Sequence, residues 1–216
     1  MFPFRSLERI LGLNRSQREL TPRDSLRRAP DGLFVFIHIN KTGGISVGKA
    51  LDLPGKMHFS VREVKSAIGR RRWKRAFTFS IVRNPWDKVV SHYKYRVKTN
   101  QTQLSERPLP FADWVLKTYG PEKDMFYYDQ PRMFQDQYAW LEDESGQLGV
   151  DKLIRFERLV EGFEEVALQL GITAKLPHLN KTDNRPYIDF YNEQSRDIVA
   201  QWFARDIKAF GYRFGD

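Results

Sequence analysis

The chain predicts a three-layer α/β/α domain around a mainly parallel central sheet, and three observations carry that expectation. Short apolar runs recur as Leu33-Phe34-Val35-Phe36-Ile37, Phe77-Thr78-Phe79-Ser80-Ile81-Val82 and Leu153-Ile154-Arg155-Phe156. Such runs suit strands buried on both faces, the condition of a parallel sheet. Helix-start and helix-stop signals lie between and after them. Finally, 216 residues that are 41% apolar and 14% aromatic suffice for one well-packed core and are short for two.

Taken in order, residues 1–31 read as an appended basic arm and residues 32–216 as the domain. In the arm Arg5, Arg9, Arg15, Arg18, Arg23, Arg27 and Arg28 outnumber Glu8, Glu19, Asp24 and Asp31. Its Met1, Phe4, Leu7, Ile10 and Leu11 share a helical face, which suits an interfacial helix, a helix docked on the domain or a disordered arm. Ser60-Val61-Arg62-Glu63 has the form of a capping box, in which hydroxyl and carboxylate each serve the other's free backbone amide. Asn84 is a good N-cap before Pro85 at the first helical position, where no backbone N–H is needed. Leu159, Phe163, Val166, Ala167 and Leu170 recur at helical spacing before Gly171, a stop signal. Tyr191 to Phe210 reads as one long closing helix with Ile198, Trp202 and Phe203 as its core face. Strands alternating with helices complete the α/β reading.

Composition narrows the function classes. There are no cysteines, which excludes disulfides and thiolate metal sites, and the four histidines are scattered rather than spaced as ligands, so no metal is expected. No apolar stretch approaches the roughly 18 residues of a membrane span, and the N-terminus lacks the apolar block of a secretory signal. The expectation is therefore a soluble, cytoplasmic protein without a transmembrane segment. A net charge of +9 favours anionic partners, whether nucleotide, acidic polysaccharide, nucleic acid or membrane surface. Arg70-Arg71-Arg72-Trp73-Lys74-Arg75 places five cations in six positions, which reads as a solvated face or as a contact for an anionic glycan or a peripheral membrane surface. Nucleic acid is not expected, because no binding module accompanies the charge.

Two segments carry chemistry. The first strand runs into His38-Ile39-Asn40-Lys41-Thr42-Gly43-Gly44-Ile45-Ser46, with a helix expected from Gly44 or Ile45. Gly43 and Gly44 allow backbone amides to approach an anion, Lys41 and the helix end supply positive potential, and Thr42 and Ser46 offer hydroxyls. This is not the Walker A order, in which a glycine precedes the lysine. The second strand leads into Arg83-Asn84-Pro85-Trp86-Asp87-Lys88-Val89-Val90-Ser91-His92-Tyr93. Asn84, Asp87 or Lys88, and Ser91 fall near one helical face, so Arg83 above it and Ser91 two turns on can converge on one phosphate. An Arg83–Asp87 surface pair beside the helix cap is the plainer reading.

At these residues the chain resembles the sulfotransferases that use 3'-phosphoadenosine-5'-phosphosulfate (PAPS). His38 to Ser46 is similar to the 5'-phosphosulfate loop of the carbohydrate branch, H-x-P-K-T-G-G-T-S, with Asn40 in place of Pro and Ile45 in place of Thr. Arg83 to Tyr93 is similar to the 3'-phosphate motif R-N-P-W-D-R-x-x-S-x-Y, with Lys88 in place of the second Arg. The likeness continues through Arg155-Phe156-Glu157 and the closing Asp206-Ile207-Lys208-Ala209-Phe210-Gly211-Tyr212-Arg213-Phe214. It is weakest from Thr99 to Arg132, where an acceptor pocket is expected.

The resemblance implies a P-loop-like sulfotransferase fold and metal-independent, in-line transfer of a sulfuryl group from PAPS to a carbohydrate hydroxyl, releasing PAP. The acceptor would be a saccharide, an anionic polysaccharide or a glycolipid. It assigns donor binding to Lys41, Thr42, Gly43, Gly44, Ile45, Ser46, Arg83 and Ser91, and catalysis to Lys41, which neutralises the leaving oxygen, and His58, the base. A half-buried His58 satisfied by backbone is the alternative, and His38 reads as structural. His92 and His178 have no comparable motif argument. A P-loop kinase and a noncatalytic nucleotide- or glycan-binding protein are the competing readings.

Overall fold

The computed structural model describes residues 19–177 and 185–216. The apolar face proposed at Met1 to Leu11 and His178 lie outside the described residues. β2 (Gly32–Ile37), β3 (Ala76–Val82) and β4 (Lys152–Arg155) are the three predicted strands. They run parallel in that order, with Phe36 opposite Phe79 and Ile81 opposite Ile154. β1 (Leu26–Ala29) adds antiparallel to the free edge of β2. Residues that charge alone assigns to the arm thus join the sheet. Two arginines interrupt this four-residue strand, leaving no apolar run to read, and its place is set by pairing with β2.

Alternation along the strands builds two layers of contact. Phe34, Phe36, Phe79, Ile81 and Ile154 face α1 (Gly44–Ala50) and α8 (Leu159–Gln169). Val35 and Ile37 face α2 (Val61–Ile68), α7 (Gln137–Leu141) and the residues Phe210 and Tyr212. Helices therefore cover both faces, giving the predicted three-layer α/β/α domain with a mainly parallel sheet. The short α3 (Arg70–Trp73) precedes β3. A third, helical core joins α4 (Pro85–Lys98) to α5 (Phe111–Tyr119) through Trp86, Val89, Trp114 and Val115, with Phe134 from α6 (Pro131–Phe134).

The local signals at Ser60, Asn84 and Gly171 hold, and α2, α4 and α8 start or stop beside them. The closing segment differs from the single helix expected. It divides into α9 (Glu193–Trp202) and α10 (Ala204–Phe210) at Phe203, whose φ of −100° and ψ of 23° leave the helical region. Val199 and Phe203 enter the helical core, whereas Phe210 packs beside the sheet. One straight rod cannot serve both cores, so the helix breaks between them. Ile198 and Trp202 are only partly buried, and Trp202 Nε1 donates to Phe134 O at 2.9 Å.

Candidate active site

β2 and β3 are parallel neighbours, so the loops that leave them emerge at the same sheet edge. In the first loop Lys41 and Gly43 hold left-handed φ angles of 66° and 83°. A Cβ on Gly43 would lie 2.8 Å from Leu159 Cδ2, and one on Gly44 would lie 2.1 Å from the His38 ring. Glycine at both positions lets the loop close down on these side chains. Thr42 is fully buried and donates its hydroxyl to Ile39 O at 2.9 Å. The hydroxyl expected to meet a phosphate is instead spent bracing the turn. His38 is buried and stacked on Phe36, and burial, then His58 and Lys56, push it down to about 3. It packs as a neutral group on Phe36 and also lines the cleft between the two loops.

Asn84 anchors the second loop: its side chain accepts from Trp86 N at 3.1 Å and donates to Arg213 O at 2.9 Å. Glu157 accepts from Asn84 N at 2.8 Å and from the Tyr212 hydroxyl at 3.0 Å. The two downstream segments of the resemblance therefore clamp this loop. Arg83 forms the pair with Asp87 that the plainer reading expects, and it also lines the cleft with Ser91. Its Nε and Nη2 each lie 2.8 Å from Asp87 Oδ2, while Nη1 donates to Lys41 O at 3.0 Å and the guanidinium lies 4.0 Å above the Phe156 ring. Lys88 turns away from the Ser91 face: it is wholly buried, 5.4 Å over the Phe203 ring, with no hydrogen-bond partner for Nζ. Burial, against the pull of Asp206, pushes its ammonium down to about 8.

Lys41, Gly43, Ile45, Ser46, Arg83, Ser91 and His58 all line one cleft of about 530 Å³. Thr42 and Gly44 stand behind its wall rather than in it. The described lining includes the cations Lys41, Lys56 and Arg83 and no carboxylate. Lys41 Nζ sits 4.2 Å over the Tyr95 ring, and burial, then Arg83 and Lys56, push it down to about 8.

His58 is half-buried and held by backbone, as the alternative reading has it, and it also lines the cleft. Its Nδ1 is 2.9 Å from His38 O, and because a carbonyl only accepts, Nδ1 carries the proton and Nε2 keeps its lone pair. Burial, then the nearby cations against that backbone bond, hold its pKa below 6.5. The helix after it is fixed by the capping box, with Ser60 N donating to Glu63 Oε2 at 2.7 Å, and Arg132 forks onto Glu63 from α6.

Sequence reasoning missed Lys56, Tyr95, Gln101, Gln130 and Met133 as lining residues, and gave His92 no role although it also lines the cleft. Tyr95 lies one turn beyond Ser91 on α4, a periodicity that could have found it. Gln101 and Gln130 fall within the stretch where the acceptor pocket is expected, but no spacing singles them out.

The model of the Sulfotransferase family matches residues 24–213 of the chain. No curated protein matches it. Among solved structures, the crystal structure of a sulfotransferase from Alicyclobacillus acidocaldarius is similar at 15% identity and a TM-score of 0.36, with 88% of this chain and 81% of that chain covered.

Proposed function

Because the chain belongs to the sulfotransferase family, matched over residues 24–213, we propose that it transfers the sulfuryl group of PAPS to a hydroxyl of a carbohydrate acceptor. The observation that carries this reading is the cleft wall itself: Lys41, Lys56 and Arg83 converge there with no carboxylate among the described lining residues. Such a wall suits a ligand with several negative charges. Gly44, where any Cβ would strike the His38 ring at 2.1 Å, keeps the loop low enough to form the cradle.

Bound here, PAPS supplies a sulfuryl group whose bond to a phosphate oxygen breaks as the acceptor oxygen attacks, leaving PAP. Lys41 supplies positive charge at the leaving oxygen. Arg83, held by Asp87 and Lys41 O, and Ser91 hold the 3'-phosphate. His58 takes the acceptor's proton on Nε2, the nitrogen left free by the Nδ1 bond to His38 O. Tyr95, Gln101 and Gln130 offer a phenol and two amides on the remaining wall, groups suited to a ligand rich in hydroxyls.

The test is mass spectrometry of a glycan extract incubated with the protein and PAPS, in which added sulfate is expected. Loss of a general base typically lowers the rate about 100- to 10,000-fold. His58→Ala should fall in that range with PAP affinity and melting temperature kept. Lys41→Ala should weaken both turnover and PAP binding. If wild type binds PAP tightly yet sulfates nothing, the noncatalytic alternative stands. If His58→Ala stays fully active, the base lies elsewhere.

A further inference from the structure

We propose that the corner formed by the end of α2, α3 and the start of β3 is a docking surface for an anionic lipid bilayer. Arg70, Arg71, Arg72, Lys74 and Arg75 are all exposed there. Arg72 Nη1 donates to Ile68 O at 3.3 Å, and none of the five makes an ion pair among the described residues. Several surface cations elsewhere do find carboxylates: Arg62 with Glu142, Arg132 with Glu63, Lys152 with Glu165, Arg205 with Asp136 and Glu142. The run is thus an uncompensated concentration of charge on a fixed frame. Gly69, at φ 85° and ψ 150°, ends α2 and starts α3, while Trp73 packs partly into the core beneath.

The arrangement favours a surface over a single extended polyanion. At about 100° per residue Arg70, Arg71, Arg72 and the C-cap Lys74 sweep an arc of about 200°, with Trp73 outside it and Arg75 following in the turn. A linear polymer is read along one stripe, whereas a broad arc meets a plane of diffuse negative charge. A groove of about 550 Å³ between Lys65, Ser66, Arg70, Trp73 and Lys74 has room for a headgroup. Glu144, also on that groove, is already paired with Lys65. Arg28 reinforces the arc: it is exposed, and alternation places it with Leu26 on the sheet face that packs α2 and Trp73.

This corner is remote from the transfer cleft. It lies at the start of the seven-residue β3, whose other end leads to Arg83, about 20 Å away at the rise of an extended strand. Docking there leaves the cleft open to the aqueous phase. The chain from the N-terminus also enters the domain here, with Arg23 Nε donating to Ala67 O in the last turn of α2 at 3.1 Å.

The test is flotation of the full chain with vesicles of phosphatidylcholine alone and of phosphatidylcholine mixed with phosphatidylglycerol. Each cation near an anionic leaflet strengthens binding about fivefold. Wild type should float with the mixed vesicles only and be released by high salt. The variant R70S/R71S/K74S/R75S should partition at least about 100-fold less, and an unchanged rise in its melting temperature on PAP addition would show that it is folded. Equal binding to neutral vesicles, undiminished flotation of the variant, or heparin retention without vesicle binding would each overturn the proposal. The last would assign the surface to a soluble polyanion.

Discussion

Lys41, the residue proposed to bear on the leaving oxygen, has its backbone held where a side chain is disfavoured, at φ 66°. Such a conformation costs on the order of 1 kcal/mol and persists when neighbours fix it. Here Arg83 Nη1 takes the Lys41 carbonyl at 3.0 Å and the Tyr95 ring lies 4.2 Å below Nζ. The two residues proposed for catalysis then bracket a pH window. His58 must be neutral to accept a proton, and its pKa lies below 6.5, so activity should fall as pH drops through a value under 6.5. Lys41 must be charged, and it loses its proton near pH 8, so activity should fall again as pH rises through about 8. The profile of kcat/KM for PAPS should be a bell with those limbs, because it reports the free enzyme. Lys41→Arg keeps its charge and should carry the alkaline limb upward, whatever activity it retains. An alkaline limb left in place by Lys41→Arg would assign it to another group.

At the scale of elements, the loop that begins at Arg83 is held from behind by a relay of helices. Asp206 on α10 accepts from Gln137 N at 2.9 Å, Gln137 Nε2 at 3.0 Å and Tyr138 N at 2.8 Å, satisfying the free amides at the start of α7. Gln137 in turn accepts from Arg83 N and donates to Arg83 O, both at 2.9 Å. Asp206→Ala strands these buried donors and should cost about 3 kcal/mol in urea denaturation, with weaker PAP binding as Arg83 loosens. Burial pushes the Asp206 carboxyl up to about 6 from 3.8, so the folded state holds its proton more tightly than the unfolded chain. Its contribution is therefore full below pH 3.8 and is lost as pH rises through about 6. Asp206→Asn should remove that slope from the pH dependence of the urea midpoint. None of this relay was legible in sequence, because Asp206 and Gln137 lie 69 residues apart and meet only through tertiary packing. Ser60 and Asn84 were legible because capping chemistry is local, their partners being Glu63 and Trp86. The break at Phe203 was not, since Val199, Phe203 and Phe210 all suit one helix until two separate cores claim them.

For the molecule as a whole, parallel pairing is what turns two distant motifs into one site. Ile37 lies opposite Ser80, so the loops beginning at His38 and Arg83 leave adjacent strands in the same direction. That much follows from two apolar runs of parallel-sheet character, each followed by an anion-binding pattern. The remaining wall, with Gln101, Gln130 and Met133, comes from segments with no periodicity or motif of their own, so only the fold reveals it. The joint site makes ligand binding a stability effect. A ligand that binds only the folded state, at about 100 times its dissociation constant, adds about 2.7 kcal/mol. For a chain of 216 residues that corresponds to a rise of about 5 to 10 °C in melting temperature. PAP should produce such a rise equally with and without EDTA, since Lys41, Lys56 and Arg83 provide the compensating charge. High salt should shrink it by screening them. Arg83→Ala should lose most of the rise with PAP but little of that with adenosine 5'-phosphosulfate, which lacks the 3'-phosphate. Equal losses for both ligands would place Arg83 in general stability rather than in 3'-phosphate binding. A larger rise with ATP and magnesium than with PAP, abolished by EDTA, would replace sulfuryl transfer with phosphoryl transfer as the reading of this cleft.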